Sequence, residues 1–439
     1  MRVDRDSTVR HPAWFVSQVG VAIGLCILGD SLMYSILPLE AEALGIGLPL
    51  VGLLLSANRL IRLVSNSWAG LVFERQGPRR PFLWATAVSV LTTLTYGMGW
   101  GFPVFLVARM AWGVAWSNLR QGGFVAVWVG ADAIKGRLTG LLWGLVRLGS
   151  ALSVLAGGLL YDRFGYAVAM GVIAGATALS IPVAWYLPWR RSVQMAGVPH
   201  DQQPSAALPP TQPSHTGSTT VRSSPERFAF TDWRTILDTV PKRLLVLAGF
   251  VALLVNGIVL STTSLYLAGR MAGESAAVDG VIRLAGISIG VATIAGLMLG
   301  TRWLSDMVLG PVFGYLSDRF GQPATGGVLA VVYGIGLFGV VALPLGMAIA
   351  CLLLVFICDG GLYVVLSAAA SGAATRTERP HLFIGLYTTV ADGGSAVGPL
   401  LAFSLASAVG LPLLYQLGGL SVMIVVVTFW LQARRHGGI

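Results

Sequence analysis

A chain of 439 residues that is 55% hydrophobic and only 11% charged, with 56 glycines and a mean hydropathy of +0.75, is far too apolar for a soluble globule. Its formal net charge of +10 does not mark a nucleic-acid binder, because the arginines are scattered among loops between apolar runs rather than clustered. Long Leu/Val/Ala/Gly runs, in place of short alternating stretches, exclude a β-barrel and leave a polytopic helical protein whose solvent is the lipid bilayer.

Each run of about 20 apolar residues is long enough to cross the bilayer as a helix with its backbone satisfied internally. In chain order, spans are expected near 14–38, 49–72, 82–101, 104–129, 138–160 and 166–187, then near 243–268, 284–313, 326–344, 346–371, 382–408 and 411–431. The polar, basic start Met1–His11 leads into a span too long for the apolar region of a cleaved signal. Cys26, Cys351 and Cys358 all fall in apolar runs, an odd number that argues against a disulfide framework. Residues 192–225 are rich in Pro, Ser, Thr and Gln and cannot bury enough apolar surface to order themselves. The chain therefore divides into a six-helix half at 1–190, a largely disordered cytoplasmic linker at 191–241 and a second six-helix half at 242–439. Within the linker, Phe228, Phe230, Trp233, Ile236, Leu237 and Val240 suit a short helix on the membrane face, with Thr231 as N-cap. Most Lys and Arg lie on the side of the termini, and the opposite loops hold only Arg163, Arg270 and Arg283, which puts both termini in the cytoplasm.

The second span carries Asn58, Arg62 and Asn66 four residues apart on one face and ends in Gly70-x-x-x-Glu74-Arg75-x-Gly77-x-Arg79-Arg80. Gly70 permits close helix approach, Gly77 suits a positive-φ turn, Glu74 can cap a neighbouring helix N-terminus, and the arginines sit among anionic headgroups. At an offset of 244 to 245 residues the pattern returns as Gly314-x-x-x-Asp318-Arg319-x-Gly321, without the trailing Arg pair. Gly140-Leu141 and Gly149-Ser150-Ala151 likewise return as Gly385-Leu386 and Gly394-Ser395-Ala396. Two helices per half align independently, and duplicated six-helix halves around a midplane site are the architecture of alternating-access transporters. A further Gly158-x-x-x-Asp162-Arg163-x-Gly165 lies between the fifth and sixth spans on the outer side and reads as a tight helix connection.

The turn after the second span resembles the signature of the major facilitator superfamily, with Glu74 where aspartate is usual. The resemblance covers essentially the whole membrane part and implies an all-α fold of twelve transmembrane helices in two pseudosymmetric halves. It also implies that Glu74 faces the start of the eleventh span when the inside is closed, with Arg75 near Asp132. The second span would neighbour the eleventh, and the fifth the eighth. Leu28-Gly29-x5-Ser35-Ile36-Leu37-Pro38 and Arg109-x-x-Trp112-Gly113 are similar to patterns of the drug/proton antiporter branch, with Ser35 for proline and Trp112 for glutamine. Ser153-Val154 replaces that branch's fifth-helix Gly-Pro, and Gly398-Pro399 stands in the eleventh span instead, which leaves the export direction open.

Ionisable groups at bilayer depth cost about 2.5 to 3.5 kcal/mol each on insertion scales, so they pair or face a cavity. The acids at such depth are Asp30, Asp306, Asp359 and Asp392, and the bases are Arg59, Arg62, Arg109, Arg120, Arg147 and Arg302. Asp30, the sole acid in the first half's spans, is the expected proton carrier with Arg109 beside it; a static pair joining the first and fourth spans is the alternative. Arg62, Trp116, Arg120, Arg147, Asp306, Asp359 and Asp392 are the expected substrate-cavity residues, and Trp112 and Trp143 are further aromatic candidates. Under the repeat, Arg62 corresponds to Asp306 and Arg147 to Asp392. Rise per residue puts all four near the midplane, and the helix neighbours that the resemblance implies then predict Arg62–Asp392 and Arg147–Asp306 pairs between the halves. The alternative satisfies each charge within its own half.

All five histidines lie outside the spans or at their ends, and no Gly-x-x-x-x-Gly-Lys-Ser/Thr loop is present, so a metal cage and nucleotide hydrolysis are not expected. No nucleophile and base pair appears at depth, so an enzyme is not expected, and no cofactor is called for. These observations together predict a monomeric multi-pass transporter of the cytoplasmic (inner) membrane, working by alternating access as a proton-coupled efflux antiporter of an amphipathic or charged organic solute. Its partners are a small-molecule substrate, protons and the bilayer, with no nucleic acid. Uptake or facilitated passage of a small anion is the second expectation, and a transporter-shaped sensor without flux is the third.

Overall fold

The structure is a computed structural model describing residues 12–128, 134–189, 237–273, 277–278, 281–284, 287–377 and 380–435. Most of the expected linker, with its short helix up to residue 236, and Asp132 fall outside the described residues.

Among the described residues the first half holds α1 (Pro12–Cys26), α2 (Leu28–Glu40), α3 (Leu48–Gln76), α4 (Arg79–Met98), α5 (Phe102–Trp128), α6 (Lys135–Ala178) and α7 (Ser180–Trp185). The second half holds α8 (Val240–Ala272), α9 (Val291–Phe320), α10 (Gln322–Ala342), α11 (Leu345–Thr375), α12 (Pro380–Val409) and α13 (Leu411–Arg435). The first span is α1 and α2 together, broken at Ile27. The fifth and sixth spans share α6, which reverses at Gly165 (φ 79°), so twelve spans are present in two sets of six. Among the described residues seven helical stretches qualify as membrane-crossing on length and apolarity alone. The others, α4, α5, α9 and α12, carry the hydroxyl or charged side chains that line the interior.

The eighth span starts at Val291 rather than near 284. Its expected first turns instead form a small antiparallel sheet of β1 (Ala277–Val278), β2 (Val281–Leu284) and β3 (Ile287–Gly290), with Ile282 opposite Ile289. β-Branched Val281, Ile282, Ile287 and Ile289 alternating between glycines favour a pleated strand over the start of a helix.

The halves meet through α3 against α12, α6 against α9 and α2 against α8. This agrees with the neighbours implied for the second and eleventh and the fifth and eighth spans. The seam is tight where Gly52 packs on Pro399 and Phe403 and where Gly158 packs on Ala292. There one continuous apolar core runs through both halves and includes Leu32, Leu54, Val154, Val259, Met298 and Phe403. At the opposite end, the side of the termini, the first half closes on a core of its own, where Phe15 meets Trp189 edge-on at 5.2 Å and Phe82 stands 5.3 Å from the same ring. The molecule is thus joined along one side and parted along the other. Leu91, Val107, Val172, Ile335, Ile424 and Leu431 are exposed, as residues facing lipid should be.

Candidate functional site

Two buried polar networks flank the cleft between the halves. In the first half, α2 presents Asp30, α3 presents Asn58 and α5 presents Arg109. Asn58 Nδ2 donates to Asp30 Oδ1 at 2.9 Å, and the Arg109 guanidinium donates to the same oxygen. Arg109 Nε donates to the Leu54 carbonyl at 3.0 Å, and the rings of Tyr34 and Tyr96 stand 5.6 and 5.9 Å from the guanidinium carbon. The Arg109 side chain is fully buried while that of Asp30 remains 13% exposed. A fully buried guanidinium without a counter-ion costs several kcal/mol, so Asp30 holds α2 and α5 together while staying partly exposed itself.

The second half has the same three groups on the repeat-related helices, rotated by one place. Asn256 on α8 donates to Asp359 Oδ2 on α11 at 2.5 Å, and Arg302 on α9 donates to the same oxygen at 2.9 Å. Asp359, expected to line the cavity, is 9% exposed and takes both bonds on Oδ2. It works as an internal tie of its own half.

Between the networks the halves carry opposite charge. Arg147 Nε on α6 lies 3.8 Å from Asp306 Oδ2 on α9, with the two side chains 40% and 17% exposed. Arg62 uses Nε to donate to the Asn58 carbonyl at 3.1 Å, and its remaining guanidinium nitrogens make no bond among the described residues. Asp392 lies within electrostatic range of Arg62 but forms no ion pair with it, and Arg120 also has no ion pair among the described residues. Trp116 stacks at 5.9 Å from Trp112 and 6.4 Å from Trp143, a row that joins α5 to α6 and continues to Phe124. Trp112 is 2% exposed in the core of the first half, whereas Trp116 and Trp143 are partly buried against that core.

The repeated turn motif reports which side is engaged. Gly77, Gly165 and Gly321 all reverse the chain at positive φ (72°, 79° and 85°), where a side chain would be strained. On the parted side, Gly70 and Gly314 face open space, and Glu74, Arg75, Arg80 and Asp318 are exposed. Arg79 lies over the Trp185 ring at 5.6 Å, and Arg319 donates to the Tyr315 hydroxyl at 3.2 Å. On the joined side the copy at 158–165 is occupied. A side chain at Gly158 would run into the Ala292 carbonyl, and Asp162 accepts from the Ala292 and Thr293 amides at 3.3 and 2.7 Å. A carboxylate on the first turn of α9 satisfies orphan N–H groups and the positive end of the helix dipole. Asp162 is therefore a contact between halves and not only a tight connection. Its motif is the signal, since Glu74 reads as a helix cap from the same pattern.

Three further residues lie outside the expected set. Asn58 and Asn256 each complete a network and lie mid-span in apolar runs, where a polar amide needs a partner. Arg59, unassigned from sequence, donates to the Tyr34 hydroxyl and to the Ser395 carbonyl on α12.

The family model of the Major Facilitator Superfamily matches residues 19–310. No curated protein matches the chain in sequence. Among solved structures, the nucleoside transporter NupG superposes with a TM-score of 0.71 at 9% identity, covering 95% of this chain and 98% of that one. A peptide transporter POT in complex with alafosfalin gives 0.67 at 14%, covering 97% and 93%. A bacterial homolog of the human lysosomal transporter Spinster, inward-facing and unoccupied, gives 0.68 at 14%, covering 97% of each chain. The fold, the duplicated halves and the matched span agree, and the chain belongs to the major facilitator superfamily of transporters.

Proposed function

We propose that this transporter is a proton-coupled exporter, as in the drug/proton antiporter branch, of an amphipathic organic solute that carries charge. The observation that carries the reading is Asp30, a partly exposed carboxylate whose counter-ion, Arg109, is fully buried. Protonation of Asp30 from the cleft removes the negative end of that pair and leaves a buried cation. The first half then has a reason to repack, which is the requirement for linking a proton to alternation. The solute site is the cleft itself, with Arg62, Arg120, Arg147 and Trp116 on one wall and Asp306 and Asp392 on the other. Opposite walls of opposite charge suit a solute with an apolar body and groups of both signs.

The Lys and Arg distribution supports a cytoplasmic parted side and an inward opening, and the reading takes the protein as a monomer of the cytoplasmic membrane with both termini inside. The region 191–241 is a tether between the halves. A second reading, uptake or facilitated passage of a small anion, draws on Arg62 and Arg120, two cations without an ion-pair partner among the described residues. Flux of candidate solutes in proteoliposomes under an imposed pH gradient separates the readings. Export driven by inward proton movement supports the first, anion flux indifferent to the gradient supports the second, and binding without flux supports a sensor.

A further inference from the structure

Pro399 lies inside α12, and a proline within a helix has no N–H to give to the carbonyl four residues earlier. That carbonyl belongs to Ser395. Left buried without a donor, it would cost the helix the full desolvation of a peptide oxygen. The donor comes from the other half, because Arg59 Nη1 on α3 donates to Ser395 O at 2.8 Å. Arg59 Nε donates to the Tyr34 hydroxyl at 3.2 Å, and the Tyr34 ring is shared, 5.3 Å from the Arg59 guanidinium carbon and 5.6 Å from that of Arg109.

The position along α3 gives this bond its role. Gly52 packs so closely on α12 that a side chain there would meet the Pro399 carbonyl and Phe403. Ser56, one turn on, is fully buried, and Arg59 follows at the next turn of the same stripe. Below Arg59 the stripe opens, with Leu63 41% exposed and Gly70 facing open space. Among the described residues Arg59 is thus the last side chain of the stripe to hydrogen-bond across the seam before it opens.

We propose that Arg59 is the latch of the joined side. It supplies the hydrogen bond that Pro399 removes from α12, so parting α3 from α12 there strands the Ser395 carbonyl and a part-buried guanidinium together. The charge-assisted bond favours the joined state. Tyr34, in contact with both arginines, sets the latch beside the Asp30 site. The proposal rests on the alternating-access reading above, but its test reads seam opening and not flux, so the two fail separately.

The test uses the full chain with Cys26, Cys351 and Cys358 replaced and Ser56→Cys as the only thiol, reconstituted in proteoliposomes and exposed to a neutral, membrane-impermeant maleimide. Arg59→Met should raise the labelling rate from the seam side by about tenfold, the effect of losing one charge-assisted hydrogen bond, and Arg59→Lys should restore much of the protection. Pro399→Ala should raise the rate by itself, because the backbone N–H restored at position 399 then satisfies Ser395 and the carbonyl no longer depends on Arg59. In that background Arg59→Met should add less than about twofold, a non-additivity that loose packing alone does not produce. Unchanged labelling in Arg59→Met, or a full tenfold increase on top of Pro399→Ala, overturns the proposal. If Arg59→Met does not fold, the Pro399→Ala rate decides, and an unchanged rate there overturns it as well.

Discussion

Arg147 on α6 stands 3.8 Å from Asp306 on α9, across the boundary between the two halves. Their pseudo-equivalents, Asp392 on α12 and Arg62 on α3, face each other across the same boundary without forming an ion pair. One of the two symmetry-related seams is therefore closed down to mid-depth, while the other has parted below Arg59.

For the closed seam, Arg147→Gln or Asp306→Asn is expected to weaken the contact by about 1 kcal/mol or less, since Arg147 is 40% exposed and solvent screens the pair. The charge-exchanged double variant Arg147→Asp with Asp306→Arg should recover part of the loss. A shift in conformational balance, read from spin-label distances between Glu42→Cys and Ala272→Cys, checks this. No recovery in the exchanged protein would show that the pair is incidental.

For the parted seam, Arg62 and Asp392 are expected to meet when the cleft closes on the side of the termini. A cysteine pair at these two positions should crosslink slowly in the resting protein and at least about tenfold faster once a solute or inhibitor traps the opposite state. Equal rates in both states count against a rocking exchange of partners.

At the end of α6, Asp162→Ala removes the acceptor from the first turn of α9. A carboxylate at such a site contributes roughly 0.3 to 1 kcal/mol, so seam-side opening should rise about two- to fivefold, as read by the same spin-label distances. On the other side, Glu74→Gln should raise the inward-open population by a similar factor, and Gly70→Leu by more, because bulk there blocks close approach of α12. Neither should reduce the stability of the state described, in which Gly70 faces open space and Glu74 is exposed. Lowered melting temperatures in both variants would contradict the assignment of these residues to a gate that is disengaged here.

Much of this organisation is legible in the chain itself. The offset of the duplicated motifs identifies equivalent positions in the two halves, the family resemblance implies which helices face one another, and the rise per residue places Arg147 level with Asp306. The contact between Asp30 and Arg109 follows from the scarcity of partners for a buried charge. What the chain does not disclose is which neutral groups complete these sites. Asn256 sits in a run of Leu, Val, Gly and Ile and carries no charge to flag it, yet it closes the Asp359 network. Hydropathy misplaces the start of α9 because β-branched residues between glycines are as apolar as a membrane helix, and it does not separate the two. Arg59 is ambiguous in the sequence for another reason, since its acceptor is a backbone carbonyl freed by a proline 340 residues away.

The central claim is that Asp30 carries the coupling proton. Its most direct test is flux through reconstituted wild-type and Asp30→Asn protein, with and without an imposed pH gradient. The account predicts that Asp30→Asn loses uphill, gradient-driven transport by at least about a hundredfold while retaining downhill exchange, because the neutral amide mimics the protonated state and cannot release it. Gradient-driven transport that persists undiminished in Asp30→Asn would contradict it.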